Sequence, residues 1–279
     1  MGRLVLHIGM HKTGSSAVQH ALVRNRHLLR WAGVHYPLSK GATGRRLSKQ
    51  SDLGAAIAHE KDHGGPHPVF GPARERIARL YDVAGAARCT IVSAENLSGE
   101  HPCYAEAFRP FAGRVETEVI VVLRDHADWA VSFYAQMVRN RDVREPRSFA
   151  EWCEDEWTQA HLDYPTILGW WADVFGRQAL RVIRYNGGVS VVPEVLAAAQ
   201  LPAWMRVLPQ VRRVRNPSPD LAALDPLRQR NAAEAGVPFT PNPPQCFSDE
   251  AERAAFRARY APQWAQLSDL GLGPQRFSW

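Results

Sequence analysis

Cysteine is scarce in this chain, and no pair of cysteines has metal-binding spacing. The four residues Cys89, Cys103, Cys153 and Cys246 lie far apart among 279 residues. This spacing indicates neither a zinc site nor a disulfide framework, and we expect reduced thiols in a cytoplasmic protein. The N-terminus lacks the apolar region and cleavage site of a signal peptide. No apolar run has the length of a membrane span, so we expect no stable membrane insertion.

Compact runs of lysine and arginine, of the kind that bind nucleic acids, are also missing. The densest basic cluster, residues 212–215, is short. A net charge of +6 at pH 7 still suits an anionic ligand, and we expect no nucleic-acid partner. The sequence shows no clear acidic cluster for a metal ion and no internal repeat. It leaves the oligomeric state open.

Short apolar runs alternate with helical patterns along the chain. The runs lie at residues 4–8, 89–92, 119–123 and 180–183, with a further short strand at 33–37. Because helical periodicity separates them, they predict an α/β fold in three layers. We expect a parallel sheet of about five strands with helices on both faces.

We expect one domain over residues 1–279. Residues 38–71 are weakly patterned, with a short helix near 53–58, and are predicted to be a mobile surface insertion that could cover a site. Residues 236–279 are predicted to be a C-terminal extension of the same domain.

The loop after the first strand has the composition of a phosphate-binding site. Residues 9–16 read GMHKTGSS, between an apolar strand and a helical pattern. Gly9 and Gly14 allow the backbone to approach a ligand closely. The N–H groups at the start of a helix attract anions, and Lys12 adds a full positive charge. Taken alone, the segment could also be an ordinary strand–helix connection with a capping serine.

This loop differs from a standard P-loop, because its lysine comes before the second glycine. It resembles instead the 5′-phosphosulfate loop of sulfotransferases that use 3′-phosphoadenosine 5′-phosphosulfate (PAPS). The bacterial branch of that family is the most similar. The resemblance implies the P-loop NTPase-like sulfotransferase fold.

A second segment resembles the same family. Arg124 follows the strongest apolar run, and Ser132 comes eight residues later in a helical pattern. In the family, such an arginine and serine hold the 3′-phosphate, and a guanidinium is well shaped for that contact. Taken alone, Arg124 could pair with a carboxylate and Ser132 could be solvated. The two motifs together, in the family's order, are more specific than either.

The resemblance implies transfer of a sulfuryl group from PAPS to a hydroxyl or amine of a small-molecule or glycan acceptor, leaving 3′-phosphoadenosine 5′-phosphate (PAP). Lys12 would neutralise developing charge, and no metal would be required. The family also brings a late basic loop over the nucleotide. The residues implied in cofactor binding are Lys12, Thr13, Gly14, Ser15, Ser16, Arg124, Ser132, Arg215, Asn216 and Ser218.

An acceptor hydroxyl needs a general base, and two residues are candidates. Glu95 comes just after the strand at 89–92, on the side of the sheet where ligands of parallel sheets bind, and partial burial would raise its pKa. It could also cap a turn or pair with an arginine. His11, beside Lys12, is the second candidate, although it could simply hydrogen-bond the loop.

One position departs from the family pattern, and two other functions stay open. Ala17 stands where many soluble sulfotransferases have an adenine-stacking tryptophan, so the adenine contacts are unassigned. One alternative is a nucleotide-dependent kinase with an aberrant P-loop, which would need magnesium and a carboxylate directly after a strand. Asp125 is near such a place. The other is a non-catalytic module that binds PAP.

Overall fold

The computed structural model describes residues 2–40, 46–47, 50–187, 189–207, 223–243 and 245–274. The chain divides into two compact units, and each is described by itself. The first comprises Met1–Leu123, Pro165–Arg215 and Leu267–Trp279, and the second comprises Arg124–Tyr164 and Asn216–Gln266. The single domain expected from the sequence stays a prediction.

The first unit contains a five-stranded parallel sheet in the order β2-β5-β1-β6-β7. Antiparallel strands β3 and β4 form a separate pair. The strands are β1 Arg3–Gly9, β2 Val34–His35, β3 Ser39–Lys40, β4 Arg46–Leu47, β5 Cys89–Ser93, β6 Glu116–Leu123 and β7 Leu180–Arg184.

The sheet strands alternate with helices in chain order. The α-helices are α1 Ser15–Arg24, α2 Arg26–Trp31, α3 Ser51–His63, α4 Ala73–Ala86, α5 Cys103–Glu106, α6 His126–Arg139, α7 Phe149–Cys153, α8 Glu156–Leu162, α9 Tyr164–Phe175, α10 Val192–Ala198, α11 Leu224–Ala235 and α12 Glu250–Asp269. Short 3₁₀ helices cover Glu95–Leu97, Arg109–Phe111, Arg177–Ala179 and Ala203–Val207. Within the described ranges, no helix is long and apolar enough to cross a membrane.

Helices cover both faces of the sheet. On one face, Val5 of β1 and Ile183 of β7 belong to an apolar cluster with α1, α2 and α10. On the other, α4 packs against β1 and β5, and its Ile77 and Leu80 are buried. Both faces of the central strands are therefore buried, which explains their continuous apolar runs. The predicted α/β fold with a five-stranded parallel sheet is confirmed.

Residues 50–71 contain more helix than the sequence pattern predicts. Helix α3 covers 13 residues, where the pattern predicts a short helix near 53–58. Asp52 in the first turn and Lys61 in the last complement the helix dipole, and Gly64 ends the helix in the left-handed conformation. Leu53 and Ile57 are buried. Whether the segment 38–71 is mobile stays a prediction.

The second unit has an aromatic core on α6. Trp129, Phe133 and Tyr134 pack with Phe149 and Trp152 of α7. The sequence SFAE at 148–151 predicts a capping box, and both of its hydrogen bonds are present at the start of α7. This unit therefore has its own apolar cluster around the helix that carries the second motif.

Candidate functional site

The loop between β1 and α1 has an unusual backbone. The φ angle is +113° at Gly9 and +88° at Gly14, and Lys12 itself has a φ of +62°. A left-handed lysine costs about 1–2 kcal/mol, which the surrounding contacts must offset. The loop is thus held in a conformation that an ordinary connection would not need.

The start of α1 offers N–H groups to a ligand. Its N-cap is Gly14, which has no side chain to accept them. The amides of Ala17 and Val18 donate to the Gly14 carbonyl at 2.9 and 3.3 Å. Within the described part of the chain, the amides of Gly14, Ser15 and Ser16 have no acceptor. Uncapped N–H groups with Lys12 beside them make this terminus suitable for an anion.

Two hydroxyls of the loop face inward. The hydroxyls of Thr13 and Ser15 both donate to the Met10 carbonyl, at 2.6 and 3.2 Å, and both residues are buried. The Met10 amide donates to Val122 of β6 at 3.0 Å. Thr13 and Ser15 therefore stabilise the loop through their hydroxyls. Ser16 is exposed and Lys12 is half-buried.

Gly14→Ala is expected to lower the free energy of unfolding by about 1–3 kcal/mol. An added Cβ would lie 2.9 Å from Cγ1 of Val191, at a φ of +88° that alanine rarely adopts. Urea denaturation would measure the loss. The matched control is Gly85→Ala in α4, where a Cβ meets nothing within 4 Å, and we expect no loss there. Equal effects at both positions would contradict this account of the loop.

Glu95 lies beside this loop. Strands β1 and β5 are parallel neighbours, and Glu95 begins the 3₁₀ turn after β5. A Cβ on Gly9 would lie 2.9 Å from the Glu95 carbonyl oxygen and 3.0 Å from the Ser98 hydroxyl oxygen. Gly9 is therefore needed for close packing of the two backbones, and the fold brings Glu95 to the loop. His11 is half-buried within the loop.

His7 is a polar residue at this edge that the sequence patterns missed. Its ring is 1% exposed, and its Nδ1 atom lies 2.8 Å from the Ser93 hydroxyl oxygen. Burial lowers its pKa to about 4, although the negative charge of Glu95 acts in the opposite direction. A histidine inside the apolar run 4–8 was the available signal.

In the second unit, Arg124 comes directly before the N-cap of α6. Its carbonyl accepts a hydrogen bond from the buried Tyr164 hydroxyl at 3.0 Å, and its side chain is partly exposed. Asp125 caps α6 by accepting from the Asp128 amide at 3.2 Å. Its carboxylate also pairs with Arg257 at 3.2 Å. The backbone that presents Arg124 is therefore fixed on both sides.

Ser132 lies two turns into α6. It is 5% exposed, and its hydroxyl has no hydrogen bond to the residues that the structure describes. Asp125, Asp128 and Ser132 share one face of the helix by their spacing. The roles assigned to Arg124 and Ser132 stay predictions. Arg215, Asn216 and Ser218 lie outside the described residues.

Two buried histidines should make stability fall in mild acid. Burial lowers the pKa of His7 and of His126 from 6.5 to about 4, and His126 is stacked between Tyr164 and Tyr260. Between pH 6.5 and about 4 the unfolded chain binds protons that the folded protein does not. The free energy of unfolding should fall there by about 1.4 kcal/mol per pH unit for each histidine.

Urea denaturation at pH 7 and pH 5 tests this pH dependence. His126→Phe should reduce the slope, whereas the same change at the exposed His101 should not. Stability that stays constant over this range would contradict the prediction.

Comparison with known proteins found distant structural similarity only. No family model matches the chain, and no curated protein matches it. Similar solved structures include a sulfotransferase from Alicyclobacillus acidocaldarius, with 19% identity, a TM-score of 0.49 and coverage of 86% of this chain and 98% of that chain. The sulfotransferase domain from the curacin biosynthetic pathway has 9% identity, a TM-score of 0.37 and the same coverage. At these scores the likeness adds no argument about function.

Proposed function

We propose that this protein is a PAPS-dependent sulfotransferase of the bacterial type. It transfers a sulfuryl group to a hydroxyl or amine of a small-molecule or glycan acceptor. The observation that carries the proposal is the uncapped start of α1, where the amides of Gly14, Ser15 and Ser16 have no acceptor among the described residues. Lys12 lies in the same loop, at the carboxyl edge of the parallel sheet, where ligands of such sheets bind.

The residues of the loop fit the 5′ end of the nucleotide. The amides of Gly14, Ser15 and Ser16 would donate to the 5′-phosphate, and Thr13 would keep the loop in shape through its bond to Met10. Lys12 would neutralise the charge that develops on the leaving phosphate oxygen. PAPS supplies an activated sulfuryl group when it is bound.

The other proposed contacts lie in the second motif and after it. Arg124 and Ser132 would hold the 3′-phosphate, and the Ser132 hydroxyl, which has no hydrogen bond among the described residues, supports this role. Arg215, Asn216 and Ser218 remain assigned to the nucleotide by the resemblance. Glu95 is proposed as the general base because its turn packs on Gly9, and His11 is the alternative.

One observation disfavours a magnesium-dependent kinase. The Asp125 carboxylate is occupied by the Asp128 amide and by Arg257, so it would have to leave both to bind a metal ion. A protein that binds PAP without catalysis remains the alternative to an enzyme.

We also propose a cytoplasmic location. All four cysteines lie in the described ranges and are unpaired thiols. Burial raises the pKa of Cys153 and raises that of Cys246 to about 12, so both are protonated and unreactive. Thiols of this kind are usual in a reducing compartment.

Calorimetric titration without metal tests the proposed function. The protein is titrated with PAP, and with ADP and AMP as controls. Tight binding of PAP with much weaker binding of ADP is expected, because only PAP carries the 3′-phosphate. Equal binding of PAP and ADP would refute the sulfotransferase proposal. Magnesium-dependent binding of ATP would favour the kinase instead.

A further inference from the structure

A buried hydrogen bond joins the two strands next to the loop. His7 on β1 and Ser93 at the end of β5 are register partners. The Nδ1 atom of His7 lies 2.8 Å from the Ser93 hydroxyl oxygen, and both residues are at most 1% exposed. His7 is two residues from Gly9, and Ser93 is two residues from Glu95. The bond therefore connects the backbone that enters the loop to the backbone that carries the proposed base.

Ser93 is held by further buried groups. Its amide donates to Oε1 of Gln50 at 2.7 Å, and its carbonyl accepts from the Gln50 amide at 3.2 Å. The side-chain amide of Gln19, on α1, donates to the same carbonyl at 3.5 Å. Gln19 and Gln50 are both buried. Because the amide, the carbonyl and the hydroxyl of Ser93 all take part in buried hydrogen bonds, the backbone at Ser93 is fixed in one position.

Hydrogen bonds also hold the backbone between Ser93 and Glu95 to β1. The Ala94 amide donates to the His7 carbonyl at 3.0 Å. The Ser98 hydroxyl then donates to the Glu95 carbonyl at 2.9 Å, and that carbonyl packs against Gly9. The segment from Ser93 to Ser98 is thus attached to β1 at successive points.

His7 buries one nitrogen without a hydrogen bond to the described residues, which packing of the strand alone does not require. Its Nε2 atom is fully buried and has no hydrogen-bond partner among the described residues. An apolar side chain would fill this place without leaving a polar atom unsatisfied. A buried neutral imidazole, whose pKa responds to the charge of Glu95, is consistent with a role at the site.

We propose that His7 is a positioning residue for Glu95: its hydrogen bond to Ser93 holds residues 93–95 against the loop, so that the carboxylate meets the acceptor. This inference rests on the proposed function. His7 touches neither the acceptor nor the nucleotide in this role. It acts through the placement of Glu95, to which the rate is sensitive because small displacements of a catalytic group cost much of its effect.

The test uses water as the acceptor, so the natural acceptor need not be known. The oxygen of the attacking water bonds to sulfur, and Glu95 accepts a proton from that water. At the same time the bond between sulfur and the 5′-phosphate oxygen breaks. The products are sulfate and PAP. The rate of PAPS hydrolysis at saturating PAPS is compared with the Kd for PAP in the wild type, His7→Leu, His7→Asn and Ser93→Ala.

His7→Leu and Ser93→Ala should each lower the hydrolysis rate about 100-fold and leave the Kd for PAP within about threefold. His7→Asn, whose amide can replace Nδ1, should recover the rate to within about tenfold of the wild type. In the Glu95→Gln background, His7→Leu should have no further effect. Hydrogen exchange of amides 94–98 should accelerate in His7→Leu.

Thr90→Val is the matched control. Thr90 is also buried on β5, and its hydroxyl has no partner among the described residues. This variant should keep the wild-type rate and the exchange pattern of residues 94–98.

Three results would overturn the inference: an unchanged rate in folded His7→Leu, a loss of PAP affinity as large as the loss of rate, or independent losses in the double variant with Glu95→Gln. Failure of the proposed function is a separate result, because the wild type would then bind PAP no better than ADP.

Discussion

Arg124→Ala is expected to weaken the binding of PAP about 100-fold and to leave the binding of ADP within about threefold. A charged group with several hydrogen bonds to a phosphate contributes about 2–3 kcal/mol, and ADP has no 3′-phosphate to lose. The Arg124 backbone is held by Tyr164 and by the start of α6, so truncation of the side chain should leave the fold intact.

Calorimetry with both nucleotides measures this difference. Arg141→Ala is the matched control, since Arg141 is an exposed arginine shortly after α6, and it should bind both nucleotides as the wild type does. Arg124→Lys should recover only part of the affinity, because an ammonium cannot make the bidentate contact. An equal loss for PAP and ADP would mean that Arg124 acts elsewhere on the nucleotide or on the fold.

Lys12→Met is expected to lower the rate of PAPS hydrolysis about 100- to 1,000-fold and to weaken PAP binding by a much smaller factor. The larger effect is on the rate because the charge on the leaving phosphate oxygen is greatest in the transition state. Methionine keeps most of the length of the side chain and removes the ammonium group with its charge and its N–H donors. The measurements are the hydrolysis rate at saturating PAPS and the Kd for PAP.

Lys61→Met provides the comparison for this variant. The Lys61 ammonium pairs with Asp62 of α3 at 3.2 Å and with Glu100, after the 3₁₀ turn, at 3.0 Å. Its loss should change neither the hydrolysis rate nor the Kd for PAP. If Lys12→Met weakened PAP binding and left the hydrolysis rate at saturating PAPS unchanged, Lys12 would bind the ground state and the transition state equally well. The proposed catalytic role would then be wrong.

The strands and the glycine positions of the first loop could be predicted well from the sequence. The run at 119–123 belongs to β6, and the run at 4–8 belongs to β1. Both strands are buried on two faces, and such strands show as unbroken apolar runs. Gly9 and Gly14 were identified as positions of close approach, and both have positive φ angles. These features are local, so the sequence around them carries the signal.

The directions of the hydroxyls in the loop could not be predicted. A count of hydroxyl residues suggests that Thr13, Ser15 and Ser16 all face a ligand, yet two of them donate to the Met10 carbonyl. Their direction depends on where that carbonyl lies, and β6 fixes it through the bond from the Met10 amide to Val122. A strand more than a hundred residues away thus decides a local contact.

The full extent of helix α3 could not be predicted from the sequence either. Its buried face is short of large apolar residues, because Gly54 and Ala56 supply part of it, so the periodicity is weak. A Cβ on Gly54 would lie 2.5 Å from the side chain of Asn96, and the Asn96 side-chain amide donates to the Ser51 carbonyl at 2.8 Å. The helix is specified partly by the close approach of Gly54 to Asn96, in a turn that lies well outside the helix in the sequence.

The sequence alone determined the alternation of strands and helices, the glycine positions of the first loop and the presence of Lys12 and Arg124 after two apolar strands. Those features depend on residues that are neighbours in the chain. Only the tertiary structure decided that Glu95 packs on Gly9 and that His7 meets Ser93, 86 residues away. The register of β1 and β5 sets those contacts, and register depends on the packing of both sheet faces rather than on either strand.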